Sequence, residues 1–282
     1  MGPSPETPDH RNDESARAHG RPAAFFDLDK TIIAKSSTLA FSRPFYAGGL
    51  ISRGSVLRSA YAQFVYLVGG ADHDQMEKMR AYLSNLSAGW DVQTVRDIVA
   101  DTLHHIVDPL VYDEAVSLIE EHQLAGRDVV IVSASGTEVV EPIGEMLGAD
   151  AVIATRMEIA EGKYTGEIDF YAYAANKATA IEALAHERGY DLSRSYAYSD
   201  SVTDVHMLEI VGHPSAVNPD RELRRIAASR GWPVLWFNRP VALHRRVRLP
   251  SSRPTLAAIA LGTAASVGTA VYLAARRRAL RS

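Results

Sequence analysis

The sequence predicts an α/β protein built on a doubly wound parallel sheet, with an inserted helical cap and a C-terminal transmembrane helix. Three observations predict this architecture. Short apolar runs alternate with helical patterns, as they do in parallel sheets that are covered by helices on both faces. A long helical pattern over residues 39–110 interrupts the alternation. Residues 255–275 carry no charge.

Five apolar runs are predicted to be strands: Ala23–Asp27, Asp128–Ser133, Ala149–Ala154, Ser195–Ser199 and Val234–Phe237. The second is the clearest, because it is continuous, β-branched and bounded by Gly126 and Gly136. Helical patterns lie between the runs, at Glu114–Leu124, Glu138–Leu147, Lys177–Arg188, Val205–Ile210 and Arg221–Ser229. The segment Met157–Phe170 alternates around Gly162, which predicts a β-hairpin.

The spacing of these elements predicts four segments. Residues 1–22 are polar, charged and rich in proline, which is typical of a disordered leader. Residues 23–38 and 111–240 are expected to form the core. Residues 39–110 are too many for a crossover connection, so they predict an inserted helical cap. Residues 241–282 are expected to form a basic linker and an anchor.

The uncharged stretch 255–275 has 21 residues, so as a helix it would be roughly 30 Å long, about the thickness of a bilayer core. Eight of its residues are alanine, which leaves a buried core helix as the alternative. Arginine clusters at both ends and the lack of a polar face favour the membrane span. The flanking arginines are Arg245, Arg246, Arg248 and Arg253 before it, and Arg276, Arg277, Arg278 and Arg281 after it.

A stripe of small residues on this stretch predicts weak homodimerisation through the tail, and consists of Ala258, Gly262, Ser266 and Ala270. The chain lacks an apolar secretion signal at its start and lacks cysteine. Both features favour a cytoplasmic catalytic body anchored to the cytoplasmic membrane by one C-terminal helix. Four arginines on each side leave the orientation of that helix open.

Composition excludes several classes of site. Without cysteine there is no disulfide, no cysteine-ligated zinc, no iron–sulfur cluster and no thiol nucleophile. The net charge of -4 divides unevenly, because residues 221–282 carry 13 Arg and one acid. An acidic body with a basic tail indicates that the tail meets an anionic surface. Nucleic acid is not expected, since these arginines flank an apolar run and are not interleaved with aromatic residues.

Polar residues follow the predicted strands at the edge where open α/β sheets bind ligands. Asp27 and Asp29 close the first strand, and two carboxylates so close together favour a shared cation. Ser133 ends the second strand, before a helical pattern. Lys177 opens a later helix. Asp200 and Asp204 follow the fourth strand. Each feature alone has a structural explanation, such as an acidic turn, a helix cap or a solvated lysine.

Taken in order, these residues resemble the motifs of the haloacid dehalogenase-like (HAD) phosphohydrolases. The matching segments are Asp27–Thr31 as DxDxT, Ser133, Lys177 and Asp200–Asp204. The helical insert after the first motif resembles the cap of the phosphoserine-phosphatase-like branch. The sequence around the motifs is similar to that of the bacterial IB subfamily. The similar segments are VIVSASGTEVVEPIGEMLGAD, YAYSDSVTDVHMLEIVG and AVNPDRELRRIAASRGWPV.

The resemblance implies a Mg²⁺-dependent phosphomonoester hydrolase that acts through an aspartyl-phosphate on Asp27. The implied Mg²⁺ ligands are the Asp27 and Asp200 side chains and the backbone carbonyl of Asp29. The Asp29 side chain is expected to protonate the leaving alcohol and then to deprotonate water.

The remaining motif residues have supporting roles in the resemblance. Ser133 and Lys177 are expected to hold the phosphoryl oxygens. Thr31 belongs with the phosphate-binding residues and fixes the turn that positions Asp29. Asp204 is expected to orient Lys177 or metal-bound water.

One position departs from the phosphoserine phosphatases, which carry a Glu nine residues after the nucleophile to hold the substrate ammonium. That position is Ser36 here, while Arg43, Arg53 and Arg58 give the cap positive charge. The expected substrate is therefore a small phosphorylated metabolite or a lipid head group, and phosphoserine is the alternative.

Three other functions remain open: a membrane-tethered non-catalytic regulator, phosphoryl transfer to an acceptor alcohol, and a signalling phosphoacceptor. The last is disfavoured, because receiver domains place the phosphorylated Asp on a middle strand and have no cap.

Overall fold

The computed structural model describes residues 20–51 and 86–240, and within them seven strands form one sheet. The strands are β1 (Ala23–Asp27), β2 (Asp128–Gly136), β3 (Ala151–Ala160), β4 (Lys163–Phe170), β5 (Tyr196–Ser199), β6 (His213–Val217) and β7 (Val234–Leu235). Their spatial order is β4-β3-β2-β1-β5-β6-β7. All neighbours pair in parallel except β3 and β4, which form the antiparallel hairpin that the sequence predicts.

The helices in the same ranges are α1 (Ser37–Ala40), α2 (Ser42–Ala47), α3 (Val92–Ile106), α4 (Asp113–Leu124), α5 (Thr137–Leu147), α6 (Ala175–Arg188), α7 (Val205–Glu209) and α8 (Arg221–Arg230). The ends of α8 show how the sequence sets its limits. The Asp220 carboxylate accepts hydrogen bonds from the amides of Glu222 and Leu223. Gly231 ends the helix with a φ of 69°, a conformation that favours glycine.

Side chains alternate between the two faces of the central strands. In β1, Ala24 and Phe26 join one core with α4 and α5, while Ala23 and Phe25 join the other with α6, α7 and α8. Because both faces are covered, the strands are almost wholly apolar. Full burial of each phenylalanine stabilises the fold by about 2–3 kcal/mol. The predicted doubly wound parallel sheet is thus confirmed.

The predicted strands are all present, but their limits differ in places. The fifth strand was predicted to end at Phe237, whereas β7 ends at Leu235. The second strand was predicted to end at Ser133, but β2 runs on to Gly136 with a shift in its pairing with β3. The third strand and the first arm of the hairpin are one strand, β3. β6, His213–Val217, was not predicted, because Pro214 weakens its strand pattern and only its last two residues are buried.

The predicted helices agree with the structure to within two residues at each end. Lys177 was predicted to open its helix, but α6 begins two residues earlier, at Ala175. Lys177 therefore lies in the first turn of α6.

The described parts of the predicted cap are helical and pack on the hairpin. The amide of Gly89 donates to the carbonyl of Tyr164, and the amide of Tyr164 donates to the carbonyl of Trp90. Val92 and Val95 of α3 pack with Tyr164 in a small separate apolar cluster. The predicted limits of the cap remain a prediction, because residues 52–85 lie outside the described ranges.

Within residues 20–51 and 86–240, no helix combines the length and the apolar character needed to cross a membrane. The predicted leader (1–22) lies almost wholly outside these ranges. The predicted linker, span and small-residue stripe (241–282) lie outside them entirely, as do Arg53 and Arg58.

Candidate active site

The order of the sheet reverses at β1, which has β2 on one side and β5 on the other. In open α/β sheets, such a switch point creates a crevice at the carboxyl ends of the strands. Asp27 is the last residue of β1 and pairs in register with Val132, the residue before Ser133. Asp200 directly follows β5. Three of the predicted site residues thus share one edge of the sheet.

Lys177 reaches this edge from the first turn of α6. Its Nζ donates to Asp27 Oδ1 at 2.7 Å and to Asp204 Oδ2 at 2.8 Å. All three side chains are less than a tenth exposed. Burial alone would lower the pKa of Lys177, but the Asp204 and Asp27 carboxylates raise it, so the ammonium stays charged. Lys177 is the charged centre of a buried three-residue network.

Asp204 has a second donor, Ser199 at the end of β5. The Ser199 hydroxyl donates to Asp204 Oδ2 at 2.7 Å, the same oxygen that accepts from Lys177. Two donors on one oxygen fix the orientation of this buried carboxylate. Asp204 was predicted from the sequence, but Ser199 was not. A serine just before the acidic motif was the available indication.

Burial raises the pKa of both Asp27 and Asp200 above their ordinary values. For Asp200 the negative charge of Asp27 is the second largest cause, so the two carboxylates repel each other across the crevice. The Lys30 ammonium, half exposed, lies 4.0 Å from Asp200 Oδ2. Two close carboxylates that gain from a nearby positive charge suit a hard divalent cation such as Mg²⁺.

These oxygen donors fit the predicted metal set. Among the residues that the structure describes, no three His, Asp or Glu side chains cluster as in an all-side-chain metal cage. The predicted set needs only the Asp27 and Asp200 side chains, with the backbone carbonyl of Asp29 and water for the remaining positions.

A tight turn after β1 carries Asp29 and Thr31. The amides of Ile32 and Ile33 both donate to the carbonyl of Leu28, and Lys30 has a φ of 61°. That left-handed conformation is unfavourable for lysine and is typical of functional sites. Thr31 is fully buried, and its hydroxyl is the one buried side-chain oxygen or nitrogen without a partner among residues 20–51 and 86–240.

Hydroxyl groups surround the Asp29 side chain. Its Oδ1 accepts from the amide of Ser37 at 2.8 Å, and Ser135 Oγ lies 3.5 Å from Oδ2. The two serine oxygens are 2.7 Å apart. Burial raises the pKa of Asp29, against the lowering effect of the Ser37 hydrogen bonds. Neither serine was predicted as a site residue, although Ser135 lies only two residues after Ser133.

A buried carboxylate at the start of α5 joins the core to the cap. Glu138 is hydrogen-bonded to the Tyr164 side chain and lies 3.9 Å from the Arg96 guanidinium of α3. Burial is the main reason why the pKa of Tyr164 is raised, and Glu138 adds to it. Ser36, at the position where the resemblance leads one to expect a glutamate, is also buried. Arg43 is exposed on α2.

The structure therefore gathers Asp27, Lys177 and Asp204 by direct contact. Ser133 is buried in β2 beside them, and its Oγ accepts from the amide of Ser135 at 3.2 Å. Asp29 reaches the same edge through the turn. No predicted site residue is placed elsewhere in the fold.

Comparison with known proteins agrees with this arrangement. The haloacid dehalogenase-like hydrolase family matches residues 24–209, which include every predicted site residue. The chain is 66% identical over 264 residues to the "Inhibition of morphological differentiation protein" of Streptomyces azureus, covering 92% of this chain and 95% of that protein. It is 59% identical over 258 residues to a Mycobacterium tuberculosis protein named a probable phosphatase, with 92% and 90% covered.

A solved structure of a substrate-bound phosphoserine phosphatase has the same fold, with a TM-score of 0.57 at 20% identity over 76% of this chain and 92% of that one. The family match covers more than half of the chain, and the relatives match it almost end to end. The predictions of the family and of an enzyme are confirmed: the chain belongs to the haloacid dehalogenase-like hydrolases.

Proposed function

We propose that this protein is a Mg²⁺-dependent phosphomonoester hydrolase that forms an aspartyl-phosphate on Asp27. The observation that carries the proposal is the contact of Lys177 with Asp27 and Asp204 at the switch point of the sheet. A buried ammonium against a carboxylate at this edge can bind an anionic group beside that carboxylate. Membership of a hydrolase family and the name of a 59% identical relative support the same reaction.

In the first half of the reaction, an Asp27 oxygen attacks phosphorus. The new bond to Asp27 forms as the bond from phosphorus to the leaving oxygen breaks. Asp29 gives its proton to that leaving oxygen. Burial raises the pKa of Asp29, which favours the protonated carboxyl group that this step requires.

In the second half, Asp29 takes a proton from the water that attacks the phosphorus of the aspartyl-phosphate. The bond between Asp27 and phosphorus then breaks, and inorganic phosphate leaves. Mg²⁺, when held by Asp27, Asp200 and the Asp29 carbonyl, neutralises negative charge on the phosphoryl oxygens. Asp27 and Asp29 thus return to their starting states at the end of the cycle.

Lys177 and Ser133 bind phosphoryl oxygens in this proposal. The Lys177 ammonium exchanges part of its contact with Asp27 for the incoming phosphate, while Asp204 and Ser199 keep it in place. Ser133 offers its hydroxyl from the buried end of β2. The Thr31 hydroxyl, which has no hydrogen-bond partner among residues 20–51 and 86–240, is a third donor for the phosphate and lies in the turn that carries Asp29.

The proposed substrate is a small phosphorylated metabolite or a phosphorylated lipid head group. Ser36 offers no charge for a substrate ammonium, which weighs against phosphoserine. Phosphoserine nevertheless belongs in any substrate panel, because a phosphoserine phosphatase has the same fold.

The test is phosphate release by the full-length chain in mild detergent, on a broad phosphomonoester panel, with Mg²⁺ or with EDTA. Asp27→Asn should reduce turnover below detection, while Glu187→Gln on the exposed face of α6 should leave it unchanged. Glycerol in the assay detects phosphoryl transfer to an acceptor alcohol. No turnover by a folded wild-type chain would overturn the proposal and favour a non-catalytic regulator.

The uncharged stretch 255–275 and its flanking arginines support a second part of the proposal, a cytoplasmic body anchored to the cytoplasmic membrane. The expected result is that the full chain sediments with membranes and resists extraction by carbonate. Recovery in the carbonate wash would contradict an inserted helix. Dimerisation through the small-residue stripe remains a prediction.

A further inference from the structure

Two buried hydroxyls meet beside the candidate site, one from α1 and one from β2. Ser37 Oγ and Ser135 Oγ lie 2.7 Å apart, and the Thr38 hydroxyl lies 3.4 Å from Ser135 Oγ. Ser37 is fully buried and Ser135 is 9% exposed. Buried hydroxyls require hydrogen-bond partners, and these two supply one another. The pair therefore ties α1 to the core strand β2.

The Asp29 carboxyl group faces this pair with its two oxygens in different environments. Oδ1 accepts from the amide of Ser37 at 2.8 Å, and Oδ2 lies 3.5 Å from Ser135 Oγ. A backbone N–H can only donate, so Oδ1 accepts whether or not the carboxyl group carries a proton. A proton on Asp29 therefore belongs on Oδ2, the oxygen on the Ser135 side.

A hydroxyl group can support both states of such a carboxyl group, because it donates and accepts. When Asp29 is ionised, Ser135 can donate to Oδ2, while the Ser37 hydroxyl can donate to Ser135 or to Asp29 itself. When Asp29 has its proton on Oδ2, the Ser135 hydroxyl turns to donate to Ser37. The contact between the serines survives in each state, and no heavy atom has to move.

Resting on the function proposed above, we propose that Ser135, supported by Ser37, is a positioning residue that holds Oδ2 of Asp29 toward the leaving oxygen of the substrate. Ser135 is well placed for this, since its amide also donates to Ser133 Oγ at 3.2 Å. One residue thus sets the distance between a phosphate-binding hydroxyl and the proton donor. A small misplacement of a proton donor has a large effect on rate.

The identity of the leaving group separates this role from a structural one. The p-nitrophenolate ion departs without a proton, whereas an alkoxide needs one from Asp29. In the full-length chain with Mg²⁺, Ser135→Ala should lower kcat/KM about tenfold for the alkyl phosphomonoester that ranks first in the panel. The kcat/KM of the same variant for p-nitrophenyl phosphate should stay within about twofold of the wild-type value.

A second readout follows the breakdown of the aspartyl-phosphate, in which Asp29 acts as a base for every substrate. Slower breakdown in Ser135→Ala should produce a burst of p-nitrophenolate equivalent to the enzyme concentration. Ser37→Ala keeps the backbone donor to Asp29, so it should shift the ratio of the two kcat/KM values in the same direction but less. Ser229→Ala, on the exposed side of α8, is the matched control and should leave both values unchanged.

Equal losses of kcat/KM on the two substrates, or no loss on either, would overturn the positioning role. Thermal unfolding of each variant establishes that it is folded. Failure of the wild-type chain on every phosphomonoester is a different result, because it overturns the proposed function itself.

Discussion

Lys177 Nζ donates a hydrogen bond to Asp27 Oδ1 at 2.7 Å, with both side chains less than a tenth exposed. Asp204 is the second acceptor of the same ammonium. One positive charge is thus shared by two buried carboxylates at the edge of the sheet. Removing it would leave both carboxylates without compensation in a region of low dielectric constant.

Lys177→Met is therefore expected to lower the free energy of unfolding by about 3 kcal/mol, because it leaves two buried acids without their cation. The measurement is urea unfolding in EDTA at pH 8. Lys30→Met is the matched control: Lys30 is half exposed and 4.0 Å from Asp200, so its loss should cost about 0.5 kcal/mol or less. Similar losses of unfolding free energy in the two variants would contradict the inference that the contacts of Lys177 with Asp27 and Asp204 stabilise the fold more than Lys30 does.

The second prediction compares two buried hydroxyls, one with a partner and one without. The Ser199 hydroxyl donates to the Asp204 carboxylate at 2.7 Å, so Ser199→Ala should lower the free energy of unfolding by about 2 kcal/mol. The Thr31 hydroxyl has no partner within the described protein, so Thr31→Val should be neutral or stabilising by up to about 1 kcal/mol. Urea unfolding measures both, and the reverse order would refute the assignment of these contacts.

The edge of the sheet that holds the site was predictable because the pattern there is local. β1 is apolar until Asp27 and buried on both faces, so the end of the run marks the end of the strand. The roles of Ser133, Lys177 and Asp204 were predicted from the order of the motifs. In the sequence, each of these residues alone is indistinguishable from an ordinary helix cap or surface residue. The contact between Lys177 and Asp27 joins residues 150 positions apart.

The contacts that were missed have no local pattern at all. Ser37 and Ser135 are 98 positions apart, and each alone is an ordinary serine near a helix start. β6 was missed because only two of its five residues are buried and Pro214 weakens its strand pattern, although it pairs with both β5 and β7. Whether such a segment forms a strand depends on its pairing with neighbouring strands more than on its local propensity.

The third prediction concerns His122 of α4, a histidine buried against the rings of Phe26 and Tyr198. Arg127 Nε donates to His122 Nδ1 at 2.7 Å, and His122 Nε2 lies 2.9 Å from the Tyr198 hydroxyl. Arginine can only donate, so Nδ1 must accept and the proton of the neutral ring sits on Nε2. Burial, together with the charge of Arg127, lowers the pKa of His122 to about 4.

The unfolded chain gains a proton on this histidine below about pH 6.5, whereas the folded chain does so only near pH 4. The stability that the neutral ring contributes is therefore complete above pH 6.5 and is lost as the pH falls toward 4. Between pH 7.5 and pH 5, the free energy of unfolding of the wild-type chain should fall by about 2 kcal/mol more than that of His122→Gln, because the glutamine side chain carries no charge at either pH. Urea unfolding at the two pH values measures this difference. His105→Gln, on the exposed face of α3, is the matched control and should follow the wild type within about 0.5 kcal/mol. A His122→Gln variant with the wild-type pH dependence would show that the buried ring is not the group that titrates.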